Sequence, residues 1–173
     1  MKLSLKALTL SILTTALAGT ALMTDSATAQ PVRFEGSYVG AGVAGSVTGG
    51  GAGDDNPNFG GNVQGRLAVP KTPVSVRGTV LFNGNNSAVI PTVTYDMGVA
   101  KNTNVYAGAG YSFVQNDGTN SPIGNRDTAV LNLGIESQVT KGVVVYGDAK
   151  YGIKGYESGK PSVGLSAGVG VQF

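Results

Sequence analysis

Ser162-Val163-Gly164-Leu165-Ser166-Ala167-Gly168-Val169-Gly170-Val171-Gln172-Phe173 is the stretch that decides the fold. Its odd positions are all apolar, and its even positions are all small or polar. A period of two is the mark of a β-strand whose faces meet different surroundings. At roughly 3.3 Å per residue, such a strand tilted by about 40° reaches across the apolar core of a bilayer. The other strands must carry the same alternation if this one belongs to a membrane-spanning sheet.

The opposite end of the chain has the three parts of a secretory leader. Lys2 and Lys6 give a basic start, Ala7–Met23 is apolar and rich in Thr and Ser, and Ala27-Thr28-Ala29 offers a small-residue cleavage site. Export with cleavage before Gln30 is therefore expected, which leaves one domain, Gln30–Phe173. No later segment approaches the ~20 apolar residues of a transmembrane helix. An exported chain can still cross a membrane as a closed barrel, which satisfies its own backbone in lipid. Cysteine is absent, so no disulfide holds the fold. Without Lys2, Lys6 and Asp25 of the leader, ten basic and nine acidic residues remain. That balance gives no support to nucleic-acid binding.

Seven further strands precede the last one. Gln30–Gly36 is a short polar lead-in, and the first strand, Ser37–Gly45, sets Val39, Ala41 and Val43 against Tyr38, Gly40, Gly42 and Ala44. Gly40–Gly45 matches the spacing GxGxxG, but that dinucleotide motif needs a following helix, and here Gly49-Gly50-Gly51 and Asp54-Asp55-Asn56-Pro57 follow. The second strand, Phe59–Val69, opposes Val63 and Leu67 to Asn62, Gln64 and Arg66; the third, Val74–Asn83, opposes Val76 and Val80 to Ser75, Arg77 and Thr79. The fourth, Ala88–Val99, separates Val89, Val93, Tyr95 and Met97 from Thr92, Thr94 and Asp96. Its Pro91 removes one ladder donor, which is awkward for a soluble central strand. The fifth, Asn104–Phe113, alternates Val105, Ala107, Ala109 and Tyr111 with Tyr106, Gly108, Gly110 and Ser112. The sixth, Thr128–Val139, alternates Leu131, Leu133 and Ile135 with Asn132, Gly134 and Glu136; the seventh, Val143–Gly152, alternates Val145, Ala149 and Tyr151 with Tyr146, Asp148 and Lys150. The outcome is an all-β, eight-stranded, antiparallel up-and-down barrel. Connections after the even strands are short and those after the odd strands are mostly long and polar, with Gly84–Ser87 the stunted exception. This is the periplasmic-turn and external-loop pattern of membrane barrels.

Which face looks outward follows from charge and aromatics. Charged residues are only 13% of the chain, against ~25% in ordinary soluble domains. The polar positions are mostly Gly, Ser, Thr, Asn and Gln, which suits a narrow interior. On the apolar face Phe59, Phe82, Tyr111, Phe113 and Tyr151 gather at the external strand ends, with Tyr95 and Phe173 toward the other. Two aromatic girdles mark a bilayer-spanning barrel.

Ser37-Tyr38-Val39-Gly40-Ala41-Gly42, the Tyr95-Asp96 pair and Val105-Tyr106-Ala107-Gly108-Ala109-Gly110-Tyr111 resemble segments of the small outer-membrane β-barrel superfamily that includes OmpA-type transmembrane domains, OmpX and opacity proteins. The resemblance covers essentially all of Gln30–Phe173, and its motifs speak for architecture rather than activity. It implies an outer-membrane location, contact with outer-membrane lipid, and a final strand, ending in Phe173, that the barrel-assembly machinery reads during biogenesis. The peptidoglycan-binding domain of OmpA-type proteins is not expected, since nothing follows Phe173.

Histidine is absent. Ser-His-Asp and Cys-His catalysis and the commonest zinc ligands are therefore excluded. The lipid A acyltransferase and deacylase barrels, whose sites resemble His-centred triads, are excluded with them. No enzyme, cofactor or resident metal is expected; Asp54-Asp55-Asn56 is too few oxygen ligands for calcium and reads as a solvated loop tip. The informative polar set is interior: Arg66, Arg77 and Lys150 against Asp96, Glu136 and Asp148. The expectation is one paired layer, with Arg66 opposite Arg77, Asp96 diagonal to Arg77, Glu136 and Asp148 across the lumen, and Lys150 one step higher. An eight-stranded bore is narrow enough to be filled by side chains. The same residues could instead line a narrow water path. Three functions follow: a non-enzymatic barrel with a structural or surface-interaction role whose loop partner the sequence does not name, a small-solute channel, and a soluble exported ligand-binding barrel.

Deleting Phe173 or replacing it by Asp should reduce membrane insertion and leave aggregate in the periplasm. Fractionation of cells expressing the deletion variant checks this, and normal insertion would count against the role given to the final strand.

Overall fold

The computed structural model describes residues 33–48 and 58–173; the leader Met1–Ala29 and the Asp54-Asp55-Asn56 loop lie outside the described residues. Eight strands run in order: β1 Tyr38–Ser46, β2 Phe59–Ala68, β3 Val74–Phe82, β4 Ser87–Ala100, β5 Thr103–Val114, β6 Thr128–Thr140, β7 Val143–Gly152 and β8 Ser162–Gln172. Each pairs antiparallel with its sequence neighbours, and β1 pairs with β8, so the sheet closes into a barrel with no free edge. The ends differ from the alternation-based strands by no more than one residue.

Local chemistry sets the connections. Asn102 (φ 59) and Gly142 (φ 84) take left-handed backbone in the tight turns Lys101–Asn102 and Lys141–Gly142. Beside each turn the register shifts, between Gly98 and Ala100 and between Gln138 and Thr140, so Val99 and Val139 are the extra residues of bulges. The β4–β5 ladder skips Ile90 and Pro91, where proline has no N–H to give.

Polarity is inverted relative to a soluble barrel. Val39, Val63, Leu67, Val76, Val93, Leu133, Val145 and Val169 are exposed around the wall, while Asn62, Gln64, Arg66, Thr79, Thr94 and Asp96 are buried within it. All the girdle aromatics, Phe59, Phe82, Tyr95, Tyr111, Phe113, Tyr151 and Phe173, are exposed, the last at 75%. Tyr111 and Phe113 touch at 5.0 Å between ring centroids. Tyr95 pairs with Val74, at the short-turn end, and Phe173 donates its N–H to Ser37 there.

The interior departs from the polar filling expected of it. Toward the long-loop end it is apolar: Ala44, Leu81, Ala88, Ile90 and Val130 form a cluster with Ile123. Ile123 belongs to the β5–β6 connection, whose Ser121–Asn125 segment is buried across the opening. The stunted β3–β4 connection acts as its strut: Asn86 donates to the carbonyls of Asn116 and Thr119, and Asn83 to that of Asn120. Leu81, Ala88, Ile90 and Val130 occupy inward positions of strands whose outward positions are also apolar. Alternation weakens there, which is why the sequence hid this band.

Leu133→Arg should lower the unfolding free energy of the barrel in lipid vesicles by about 2–4 kcal/mol, the cost of a cation on a lipid-facing midplane site. Asn132→Ser on the inner face should cost far less. Urea titration of both variants measures the difference, and equal tolerance would reverse the two faces.

Candidate functional site in the barrel interior

Strand register brings the charges together. Arg66 and Arg77 are direct partners on β2 and β3. Like charges so placed repel, and both side chains lean toward the short-turn end, where acids lie. Arg66 Nη2 donates to Asp96 Oδ2 at 2.7 Å and its Nε lies 3.3 Å from Glu136 Oε1. Arg77 Nη2 donates to Asp96 Oδ1 at 3.0 Å and its Nη1 to Glu136 Oε2 at 2.8 Å. Each arginine thus meets both carboxylates, and each carboxylate meets both arginines. The fork geometry of guanidinium makes this possible, because it offers several coplanar donors to two acceptors at once. Remaining donors and acceptors are also met: Arg66 Nε by Ser75, Arg77 Nε by Thr94, and Glu136 by the Asn104 amide. Arg66, Arg77, Asp96 and Glu136 are no more than 2% exposed.

The six charges do not form one layer. Lys150 Nζ binds Asp148 Oδ1 at 2.6 Å as a separate pair along β7. Tyr106 stands between the two groups. Its ring lies under the Arg77 guanidinium, with Cζ 3.6 Å from the centroid, and its hydroxyl donates to Asp148 Oδ2 at 3.1 Å. The ring has room because Gly134 is its cross-strand partner; a Cβ there would collide with Tyr106. Tyr146 faces Gly168 in the same way, and its hydroxyl donates to Asn62 at 2.6 Å. Tyr38 accepts from Gln64 and from Arg77 at 3.0 and 3.2 Å. These three tyrosines are parts of the interior network that charge counting passed over. Their signal was present: an aromatic residue at an inward position on a strand beside a glycine-bearing neighbour.

The lead-in is also more than polar. Phe34 is buried with Tyr38, Val144 and Tyr146 at the short-turn mouth. Its backbone exchanges hydrogen bonds with the Asn104 side chain at 3.1 and 2.7 Å, and its ring lies beneath the Arg66 guanidinium. Arg66 also donates to the Gly36 carbonyl. A vestibule of about 390 Å³ opens on this side, lined by Arg33, Glu35, Lys71 and Phe173, with Arg66 at its floor. At the far end a shallower hollow of about 270 Å³ lies among Asp117, Arg126 and Glu157.

Eight strands, meandering topology, apolar wall and charged interior define the class: this is the fold of the small outer-membrane β-barrels. Among solved structures, it is similar to Ail, the attachment invasion locus protein of Yersinia pestis, solved with the heparin analogue sucrose octasulfate (17% identity, 80% of this chain and 99% of that one, TM-score 0.52). It is similar also to Neisserial surface protein A (18% identity, 79% and 97%, TM-score 0.53). A de novo designed transmembrane β-barrel matches as well (15% identity, 84% and 98%, TM-score 0.52). No protein-family model and no curated protein matches the sequence.

Glu136→Gln removes one of the two acids shared by the arginines. It should lower the unfolding free energy in detergent micelles by about 3–5 kcal/mol, the usual cost of stranding a buried charge. A loss under about 1 kcal/mol in urea titration would place the pair in water rather than in the core.

Proposed function

We propose that this protein is a non-enzymatic outer-membrane barrel whose interior is plugged and whose work is structural or done by its surface. The observation that carries the proposal is the burial of every interior charge within a barrel of exposed apolar wall. A soluble barrel would present that wall to water, an apolar surface far larger than soluble monomers tolerate. A wide channel would wet its lining, whereas here the charged side chains are spent on one another. Two further closures support the plug: Phe34 beneath Arg66 at one mouth, and Ile123 of the β5–β6 connection, packed on the apolar cluster, at the other.

Which surface role the loops serve is constrained by their charge. The similarity to Ail raises binding of a sulfated glycan, because that protein was solved with a heparin analogue. On the described long-loop surface Arg126, Lys154 and Lys160 are interspersed with Asp117, Asp127 and Glu157. Such a mixed surface lacks the single-sign field that a polyanion needs. The loops therefore favour a neutral or mixed-charge partner, or serve only to close the barrel. The Asn83, Asn86, Asn116 and Asn125 contacts that knit the loops together fit the second role.

Wild-type protein refolded from denaturant should run as a heat-modifiable band on gels and insert in lipid. In planar bilayers it should conduct little, and Glu136→Gln should conduct more. A steady, large open-channel current from wild type, unchanged in Glu136→Gln, would promote the small-solute channel in place of the plug.

A further inference from the structure

The three short turns share a feature that the closed interior does not use. Each carries one lysine two residues beyond a valine: Val69-Pro70-Lys71, Val99-Ala100-Lys101 and Val139-Thr140-Lys141. All three valines are exposed large hydrophobics of the outer wall, and all three lysines are exposed. No acidic residue lies in any of these turns. Among the described residues none of the three lysines makes an ion pair, whereas Arg33 at the same end is held by Glu35 at 2.8 Å. The β2–β3, β4–β5 and β6–β7 turns stand at three of the four hairpin positions around the rim, and the fourth is the β8–β1 seam, where Phe173 bonds Ser37. Among the described residues, the opposite end has no such pattern, its basic residues alternating with acids.

We infer that Lys71, Lys101 and Lys141 form a ring of anchors for the phosphate headgroups of anionic phospholipids in the leaflet at the short-turn end. The inference rests on the membrane-spanning reading and names the lipid that this rim selects. Three positive charges spread around a circumference match a leaflet that surrounds the barrel; a compact acidic partner would reach only one side. Position fits as well. A lysine just beyond the last lipid-facing valine lays its alkyl stem along the apolar wall and carries its ammonium to the interface. Near a surface of anionic lipid each such lysine is worth about 1 kcal/mol, or roughly a fivefold preference.

The test uses the full mature chain refolded into phosphatidylcholine vesicles containing phosphatidylglycerol. Insertion is first established by the heat-dependent gel shift; failure there would overturn the membrane reading itself. Spin-labelled phosphatidylglycerol and phosphatidylcholine then report which lipid the barrel's first shell retains. Wild type should show a several-fold preference for phosphatidylglycerol that weakens in high salt. The triple variant Lys71→Gln, Lys101→Gln, Lys141→Gln should lose it, and the triple Lys→Arg variant should keep it. An inserted wild type without preference, or a glutamine variant that retains it, would overturn the anchor ring.

Discussion

Two arginines on adjacent strands cannot face each other in a dry bore unless acids come to both. That constraint organises the interior. Arg66 and Arg77 are register partners, so their mutual repulsion is built in by the β2–β3 turn. It is relieved only because β4 delivers Asp96 and β6 delivers Glu136 to the same height. Four strands are thereby fixed relative to one another by side chains as well as by their ladders. A shift of one residue in any of them would turn a charge out onto the apolar wall. Buried ion pairs are a weak source of net stability, since desolvation cancels most of their attraction. Here their physical role is in register: few other arrangements of these strands satisfy every charge.

Glycine makes that arrangement fit. Tyr106 and Tyr146 lie inward against Gly134 and Gly168, the residues directly opposite them in the neighbouring strands. A side chain at either glycine would push the ring into the space the charges occupy. The same rings then do polar work, Tyr106 joining Arg77 to Asp148 and Tyr146 holding Asn62. The abundance of glycine, which on composition alone suggests looseness, is here the condition for dense filling.

What was legible in the sequence follows from what period two can encode. Strand number, order and facing were readable because the wall is apolar almost everywhere and the inner face usually is not, as with Leu165 beside Ser166. The partners of Arg66, Arg77, Asp96 and Glu136 were readable in outline because turn lengths constrain register. Their separation from Lys150 and Asp148 was not, since it depends on how far the ring of Tyr106 reaches. Phe34 and Ile123 were missed for a different reason. Both sit outside strands, in segments without periodicity, and each becomes inward only through tertiary contacts that involve Asn104 or the Asn83–Asn86 connection. The exposure of Phe59 and Phe173, by contrast, needed no contacts to be read, because it follows from face and strand end alone.

Charge is distributed in three separate compartments with different physical consequences. Inside, three cations meet three anions, so the interior carries no net charge. At the long-loop end the described charges also alternate in sign. At the short-turn rim Lys71, Lys101 and Lys141 stand with no acid in their own turns, at the border of the apolar wall. The apolar wall, the lysine-bearing rim and the asparagine-laced loops are what the protein presents to its surroundings. A designed barrel matches this fold at the same TM-score as Ail, so the likeness speaks for the fold and for no particular activity. Any specific activity must therefore be sought in this chain's own residues, and the lysine at each short turn is one feature to test.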